Sequence, residues 1–538
     1  MKINGDERRW LAGYLTFLVV FTSLPYFIGF SNAASEWRFS GFTFGVEDGN
    51  SYIAKMLAGQ AGDWLFRSPF TAFSQRGVLT FLPYLLLGKL AYPPGLHEQL
   101  VALFHLFRIS SVCLYSLASY QFLIAFVQDV RFRRLGIVLL TLGGGLGWLL
   151  VLAGRTNWLG SLPLDFYSPE SFGFLSLFGL PHLAAARALL LWGLLVYLVP
   201  ETLPQGFRQS WKRGGITGLL WLVMGLFQPL TVVIGWVVLG AHLALGAAWR
   251  LFRKQNDPLK RTGWKEHFIA ALYAGLVSSP IVAYTMVAYT TDPYLKVWSS
   301  QNLILSPHPL HYLVAYGLIL PFAILGVKRL IQKNQDWGVF FAGWLILLPF
   351  LAYFPFNLQR RLPEGIWTAW VVTAMAWLAS QSKPKASRWS YIFTLLLPSS
   401  IIFYFGSLFR ILTPGAPVYV PVQEAQIFES IQSTVPRDSV FLASFETGNQ
   451  LPAWAPVHVL IGHGPESANL KEIQPLVENF YHAGESDRTR LELIHRFNVR
   501  YVFWGPSEWS LGNWDPSKAD YLRLVNRQGD YLYYEVHE

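Results

Sequence analysis

The chain has 538 residues, 53% of them hydrophobic and only 14% charged, where a soluble domain carries about 25% charged residues. Apolar stretches recur as far as residue 411, which excludes a single large water-soluble core and indicates a polytopic α-helical membrane protein. The net charge of +10 is unevenly spread: residues 415–538 hold 9 Lys/Arg against 16 Asp/Glu, a balance of −7, leaving +17 on the first 414. Such an asymmetry reads as basic cytoplasmic loops and not as a nucleic-acid surface.

In chain order, Trp10–Phe30 is too long for a signal-peptide core and has no small-residue cleavage site, so it reads as a signal anchor. Further apolar segments predict eleven membrane spans, near 10–30, 98–127, 135–153, 181–199, 215–228, 229–249, 267–290, 309–327, 338–356, 366–381 and 390–411. Segments 215–228 and 366–381 fall short of the roughly 20 residues that a crossing needs. Gln228-Pro229 is a tight reversal, because proline ends a helix at the residue before it. Basic residues fall in alternate loops: Lys2, Arg8 and Arg9; Arg131, Arg133 and Arg134; Arg208, Lys212 and Arg213; Arg250, Arg253, Lys254, Lys260, Arg261 and Lys265; Lys328, Arg329 and Lys333; Lys383, Lys385 and Arg388. The positive-inside rule then puts the N-terminus in the cytoplasm of a plasma (inner) membrane and the C-terminal region outside. In residues 77–97 the apolar run Phe81–Leu87 is short and broken by Pro83, so the segment reads as an interfacial helix within an outer loop over 31–97; the alternative, a span, would invert every later loop. The single cysteine, Cys113, leaves no intrachain disulfide possible.

The expected partition is a transmembrane domain over 1–411, a linker over 412–420 and a small extracytoplasmic α/β domain over 421–538. In that last part Ser439–Ser444, His458–His463, Tyr501–Trp504 and Tyr531–Val536 read as strands, and 421–433, 470–482 and 487–498 as helices.

The candidate chemistry starts in the first outer loop, at Phe44-Gly45-Val46-Glu47-Asp48-Gly49-Asn50-Ser51-Tyr52. Adjacent acids diverge by about 100° on a helix, so Glu47 and Asp48 are not a paired acid and base on one substrate. One is expected to face a site and the other a structural partner or a metal; the plain alternative is two solvated caps of a turn. A carboxylate at an outer lipid surface suits proton abstraction from an acceptor hydroxyl. Arg108 and Arg187 lie inside apolar segments, where an ionisable group marks a site or an internal ion pair. With His182, and with Arg360 and Arg361 in an outer loop, they are candidates for phosphate, which guanidinium forks bind bidentately. His105 precedes Arg108 by one helical turn. Glu170 or Asp165 in the second outer loop is a candidate to join Asp48 on a divalent cation, Mg or Mn, although no D-x-D spacing is present. Tyr52, Trp64, Phe66 and Trp298 are candidates to contact a sugar, against the plain reading of an aromatic belt. Gly462-His463-Gly464-Pro465-Glu466 reads as a strand-to-helix connection, with ligand binding as the second choice.

This order of parts resembles the GT-C superfamily of membrane glycosyltransferases, whose relatives include protein O-mannosyltransferases and bacterial aminoarabinose transferases near glycosyltransferase family 39. The features that match are a cytoplasmic N-terminus, one span, a large outer loop carrying Glu47-Asp48, many further spans and an outer domain. The resemblance implies a polyprenyl-phosphate-linked sugar donor, a lipid, glycan or protein acceptor, and a catalytic acid in the first loop: Asp48, with Glu47 the second choice. The competing readings are a transporter or lipid flippase, for which an inverted repeat would be expected and none is visible, and a non-catalytic membrane scaffold.

Overall fold

The computed structural model describes residues 4–32, 35–253 and 258–537. Lys2 and Lys254, and the side chains of Arg253, Lys260, Arg261 and Lys385, lie outside the described residues. Among the described residues seven helices are long and apolar enough to cross a membrane: Gly5–Ser31, Leu96–Phe126, Pro181–Leu198, Pro229–Phe252, Gly263–Thr291, Gln335–Ala352 and Ala386–Leu412. Pro309–Tyr316 and Leu320–Lys333 together make an eighth candidate, bent by 69°. Val130–Leu142, Ser210–Gly225 and Ile366–Leu378 coincide with three more expected spans, but at 13, 16 and 13 residues they are only about 20–24 Å long, below a full hydrocarbon crossing. The chain is a multi-pass α-helical membrane protein; among the described residues seven helices, or eight with the bent pair, meet the length and composition of a crossing, and the other three expected spans are shorter.

Two local departures have identifiable causes. The expected span at 135–153 stops at Leu142, because Gly143-Gly144-Gly145 gives the backbone no helical preference, and a second piece restarts over Gly147–Leu152. A helix break falls where the reversal at Gln228-Pro229 was expected: one helix ends at Gly225 and the next begins at Pro229.

The chain divides into two compact units that do not follow sequence order. The first unit holds residues up to Ser23, Phe107–Thr285 and Ile304–Gly406. It is a helical body whose apolar centre includes the fully buried Trp221, Trp344 and Trp367.

The second unit gathers Leu24–Leu106, Met286–Leu303 and Ser407–Glu538, so the first loop belongs with the C-terminal region. Strand β1 (Trp37–Phe39) pairs antiparallel with β2 (Tyr419–Pro421), within what was expected to be the linker. A five-stranded sheet follows from β3 (Val440–Leu442), β4 (His458–Val459), β5 (Tyr501–Trp504), β6 (Leu522–Gln528) and β7 (Tyr531–Val536). Its order is β4-β3-β5-β7-β6, with β4, β3 and β5 parallel and β7 antiparallel to both neighbours. The helix Leu470–Phe480 buries Ile473, Val477 and Phe480, one stripe at helical spacing. The helix Asp487–Phe497 buries Leu493, Ile494 and Phe497.

In the first loop, the short helix Leu82–Gly88 packs on the helix Val46–Gln60 through Gly88, where an added Cβ would sit 1.7 Å from the Met56 carbonyl oxygen. The expected interfacial helix is therefore only seven residues long, and it buries Tyr84 and Leu85.

Candidate functional site

Gly45, in the left-handed region at φ 57°, turns the chain into the helix Val46–Gln60. Glu47 and Asp48 fall in its first turn, where the helix dipole favours carboxylates. As their divergence requires, they meet different groups, and both groups lie in the C-terminal Gly462–Glu466 turn. The Glu47 carboxylate accepts from the Gly464 amide at 2.8 Å. The Asp48 Oδ1 lies 3.3 Å from His463 Nε2. Glu47 anchors backbone, while Asp48 faces an imidazole with 58% of its side chain exposed.

One helical turn deeper the contacts are buried. Glu466 accepts from Lys55 Nζ at 2.6 Å and from Ser51 Oγ at 2.8 Å, and Ser68 Oγ reaches its other oxygen at 3.3 Å. Lys55 also bonds the Ser51 hydroxyl, and its ammonium lies 4.5 Å from the centre of the Phe81 ring and 5.2 Å from that of Phe66. Glu47, Ser51 and Lys55 sit four residues apart on one helix face, which is why one turn of the distant chain engages all three. Asn50 donates to Asn449 at 2.8 Å, and Asn449 in turn donates to the Glu47 carbonyl. The turn is pinned from its other side by Gln301, which donates to the Pro465 and Ser467 carbonyls, and by Tyr294, which donates to the Glu466 carbonyl.

The electrostatics follow from this arrangement. Burial alone would raise the Glu466 carboxyl, but the charges of Lys55 and His463 and the hydrogen bonds of Lys55 and Ser51 outweigh it and hold it below the usual range. Burial would lower His463, but its hydrogen bond to Asp48 and the charges of Glu466 and Asp48 raise it instead.

The aromatic candidates separate. Trp64 is exposed and carries Lys89 over its ring at 4.3 Å. Tyr52 stacks on Tyr84 at 4.8 Å and lies near-parallel to Phe104 at 6.0 Å, with Tyr84 and Phe104 6.3 Å apart. Phe66 is buried and Trp298 packs on Phe81 and Tyr289, so neither presents a face to a sugar. His105 lies 3.0 Å from the Gly41 carbonyl.

The cationic candidates belong to the first unit. Arg187 is buried and fully engaged: Nε donates to Glu364 at 2.5 Å, Nη2 to the Pro169 carbonyl at 2.7 Å, and Nη1 to the Phe172 carbonyl and the Ser176 hydroxyl. A donor-phosphate role does not fit that geometry, and the internal ion pair is the reading that does. Arg108 donates to the hydroxyls of Thr22 and Ser23 at 3.1 and 2.8 Å. His182 is half-buried at the start of the helix Pro181–Leu198. Arg360 and Arg361 form a 3₁₀ turn, half-buried; Arg360 stacks over Tyr167 at 4.5 Å and Arg361 lies 3.4 Å from Glu170. Asp165 is a backbone holder, accepting from the Gly145 and Gly147 amides and from Ser399 with one oxygen.

The proposed cation ligands face nitrogen groups, Asp48 the His463 imidazole and Glu170 the Arg361 guanidinium. Among the described residues no three His, Cys, Asp or Glu side chains converge in an arrangement that would hold a metal ion.

No family model matches the sequence, and no curated protein matches it. Among solved structures, the apo oligosaccharyltransferase of Archaeoglobus fulgidus superposes with a TM-score of 0.52 at 12% identity, over 92% of this chain and 69% of that one. The same protein, AglB, in complex with an inhibitory peptide and a dolichol-phosphate gives a TM-score of 0.52 at 12% identity, over 92% and 70%. The chain has the GT-C fold. ArnT of Cupriavidus metallidurans in the apo state aligns at TM-score 0.49 and 12% identity, over 97% of this chain and 98% of that one. Within the GT-C fold of this chain, the residue that sequence reasoning under-weighted is His463: its turn read as a plain connection, and the one available signal was a histidine and a glutamate between glycines just after a strand.

Proposed function

We propose that the chain transfers a sugar, of the hexosyl or pentosyl class, from a polyprenyl-phosphate donor to the hydroxyl of a lipid, glycan or protein acceptor on the outer face of the plasma membrane. The observation that carries this reading is Asp48: an accessible carboxylate at a helix N-terminus, fixed at 3.3 Å from His463 in a chain of GT-C fold. Asp48 acts as general base. As the acceptor oxygen bonds to the anomeric carbon, its proton passes to the carboxylate, while the carbon–oxygen bond to phosphate breaks and its electron pair leaves on polyprenyl phosphate. A single displacement inverts the anomeric centre.

Arg360 and Arg361 are the favoured donor-phosphate groups, with Arg108 and His182 behind them. The Nε of Arg360 is buried without a hydrogen-bond partner, so an incoming phosphate would find a donor to accept from, while the Nε of Arg361 is already 3.4 Å from Glu170. The N-terminus lies in the cytoplasm, which places the Asp48 loop outside.

Asp48→Asn tests the reading: released polyprenyl phosphate is expected to fall by about 10²–10⁴-fold with insertion and folding intact. Unchanged release removes Asp48 from the mechanism.

A further inference from the structure

Resting on the transferase reading, and deepening it, we propose that His463 is a positioning residue for Asp48, so that the C-terminal Gly462–Glu466 turn is part of the catalytic machinery. The geometry has three parts. First, the imidazole is a fixed anchor for a reachable group: the His463 side chain is 8% exposed and that of Asp48 58%. Second, the ring lies between two carboxylates, with Nε2 3.3 Å from Asp48 and Nδ1 3.9 Å from Glu466. Nδ1 is buried and makes no hydrogen bond, so Glu466 acts on the ring through charge. Third, Glu466 is itself immobilised by Lys55, Ser51 and Ser68. The order of rigidity runs from the buried pair through the imidazole to the acid at the surface, as a catalytic group needs if its orientation is set before substrate arrives.

A clamp that only fastens the turn to the helix is the competing explanation. That task is already served by Glu47 on Gly464, Asn50 on Asn449 and Lys55 on Glu466, none of which holds the Asp48 carboxylate.

The test uses the full chain in nanodiscs, with sugar-loaded polyprenyl phosphates extracted from the expression host's membranes as donor and released polyprenyl phosphate read by mass spectrometry. His463→Ala is expected to lower kcat by about 10–100-fold, the worth of a hydrogen bond to a charged group, with donor KM unchanged; His463→Gln, which still presents a donor to Asp48, recovers most of the loss. A rise in KM alone, or wild-type kcat in His463→Ala beside an inactive Asp48→Asn, overturns the positioning role and leaves the transferase reading standing. Full turnover in Asp48→Asn overturns both. Independently of turnover, the ¹⁵N signals of the His463 ring are expected to shift in Asp48→Asn and not in Glu47→Gln. Ring signals unmoved by Asp48→Asn overturn the proposal whatever the rates.

Discussion

Lys55→Met isolates what the buried ion pair contributes. The side chains of Lys55 and Glu466 are 1% and 5% exposed and 2.6 Å apart, so removing the ammonium leaves a desolvated carboxylate with the Ser51 and Ser68 hydroxyls as its hydrogen-bond donors and the His463 ring at 3.9 Å. Breaking one side of such a pair costs about 3–5 kcal/mol. The two hydroxyl bonds persist and the methionine fits among the Phe66 and Phe81 rings, which argues for the low end, about 3 kcal/mol. At about 1.4 kcal/mol per tenfold, amide hydrogen exchange in Val46–Gln60 should lose about 10²-fold protection. The double variant Lys55→Met/Glu466→Gln, which leaves no charge, should return to within about 1 kcal/mol of the parent. Parental protection in Lys55→Met, or a double variant no better than the single one, would refute the reasoning.

Arg187→Ala should destabilise the first unit by about 3–5 kcal/mol, since it strands the buried Glu364; thermal unfolding in detergent measures this, and Glu364→Gln in the same chain should recover part of it. Loss of donor affinity at unchanged stability would contradict the internal ion pair. Glu424 is buried, and desolvation, with the Glu508 charge second, pushes it up to about 8. The folded state therefore holds a proton that the unfolded chain releases above the ordinary glutamate value, and stability of the C-terminal region should fall as pH rises from about 4.5 towards 8, by a few kcal/mol at most. Glu424→Gln should flatten that dependence in a thermal-shift series; an unchanged slope would refute it. Gly88→Val should separate the two first-loop helices, because its Cβ would sit 1.7 Å from a carbonyl oxygen, and limited proteolysis between 60 and 90 should accelerate.

The parts of the molecule governed by short-range rules were legible. Apolar length marked the long spans, Pro229 marked a helix break, and β-rich composition marked β5 and β7 to the residue. Strand β6 was missed because its face is largely exposed and polar, with a bulge between Leu524 and Asn526 that breaks the period-two signal. The three-residue pairing of β1 with β2 carries no local signature, and neither does the contact of Asp48 with His463, which are 415 positions apart. Divergence of adjacent acids on a helix foresaw that Glu47 and Asp48 would have different partners. Nothing local could say that both partners lie near the far end of the chain.

The pairing of Lys55 with Glu466 sets a schedule for biosynthesis. The two residues are separated by 411 positions, and at about 5–20 residues per second the ribosome takes on the order of 20–80 s to supply the second after the first. Throughout that interval the loop helix carries a cation that has no place to be buried, and β1 has no neighbour. The loop can settle only when the last segment of the chain has also been made, so a protein cut short before residue 466 loses not just its terminal sheet but the ordered state of its first loop.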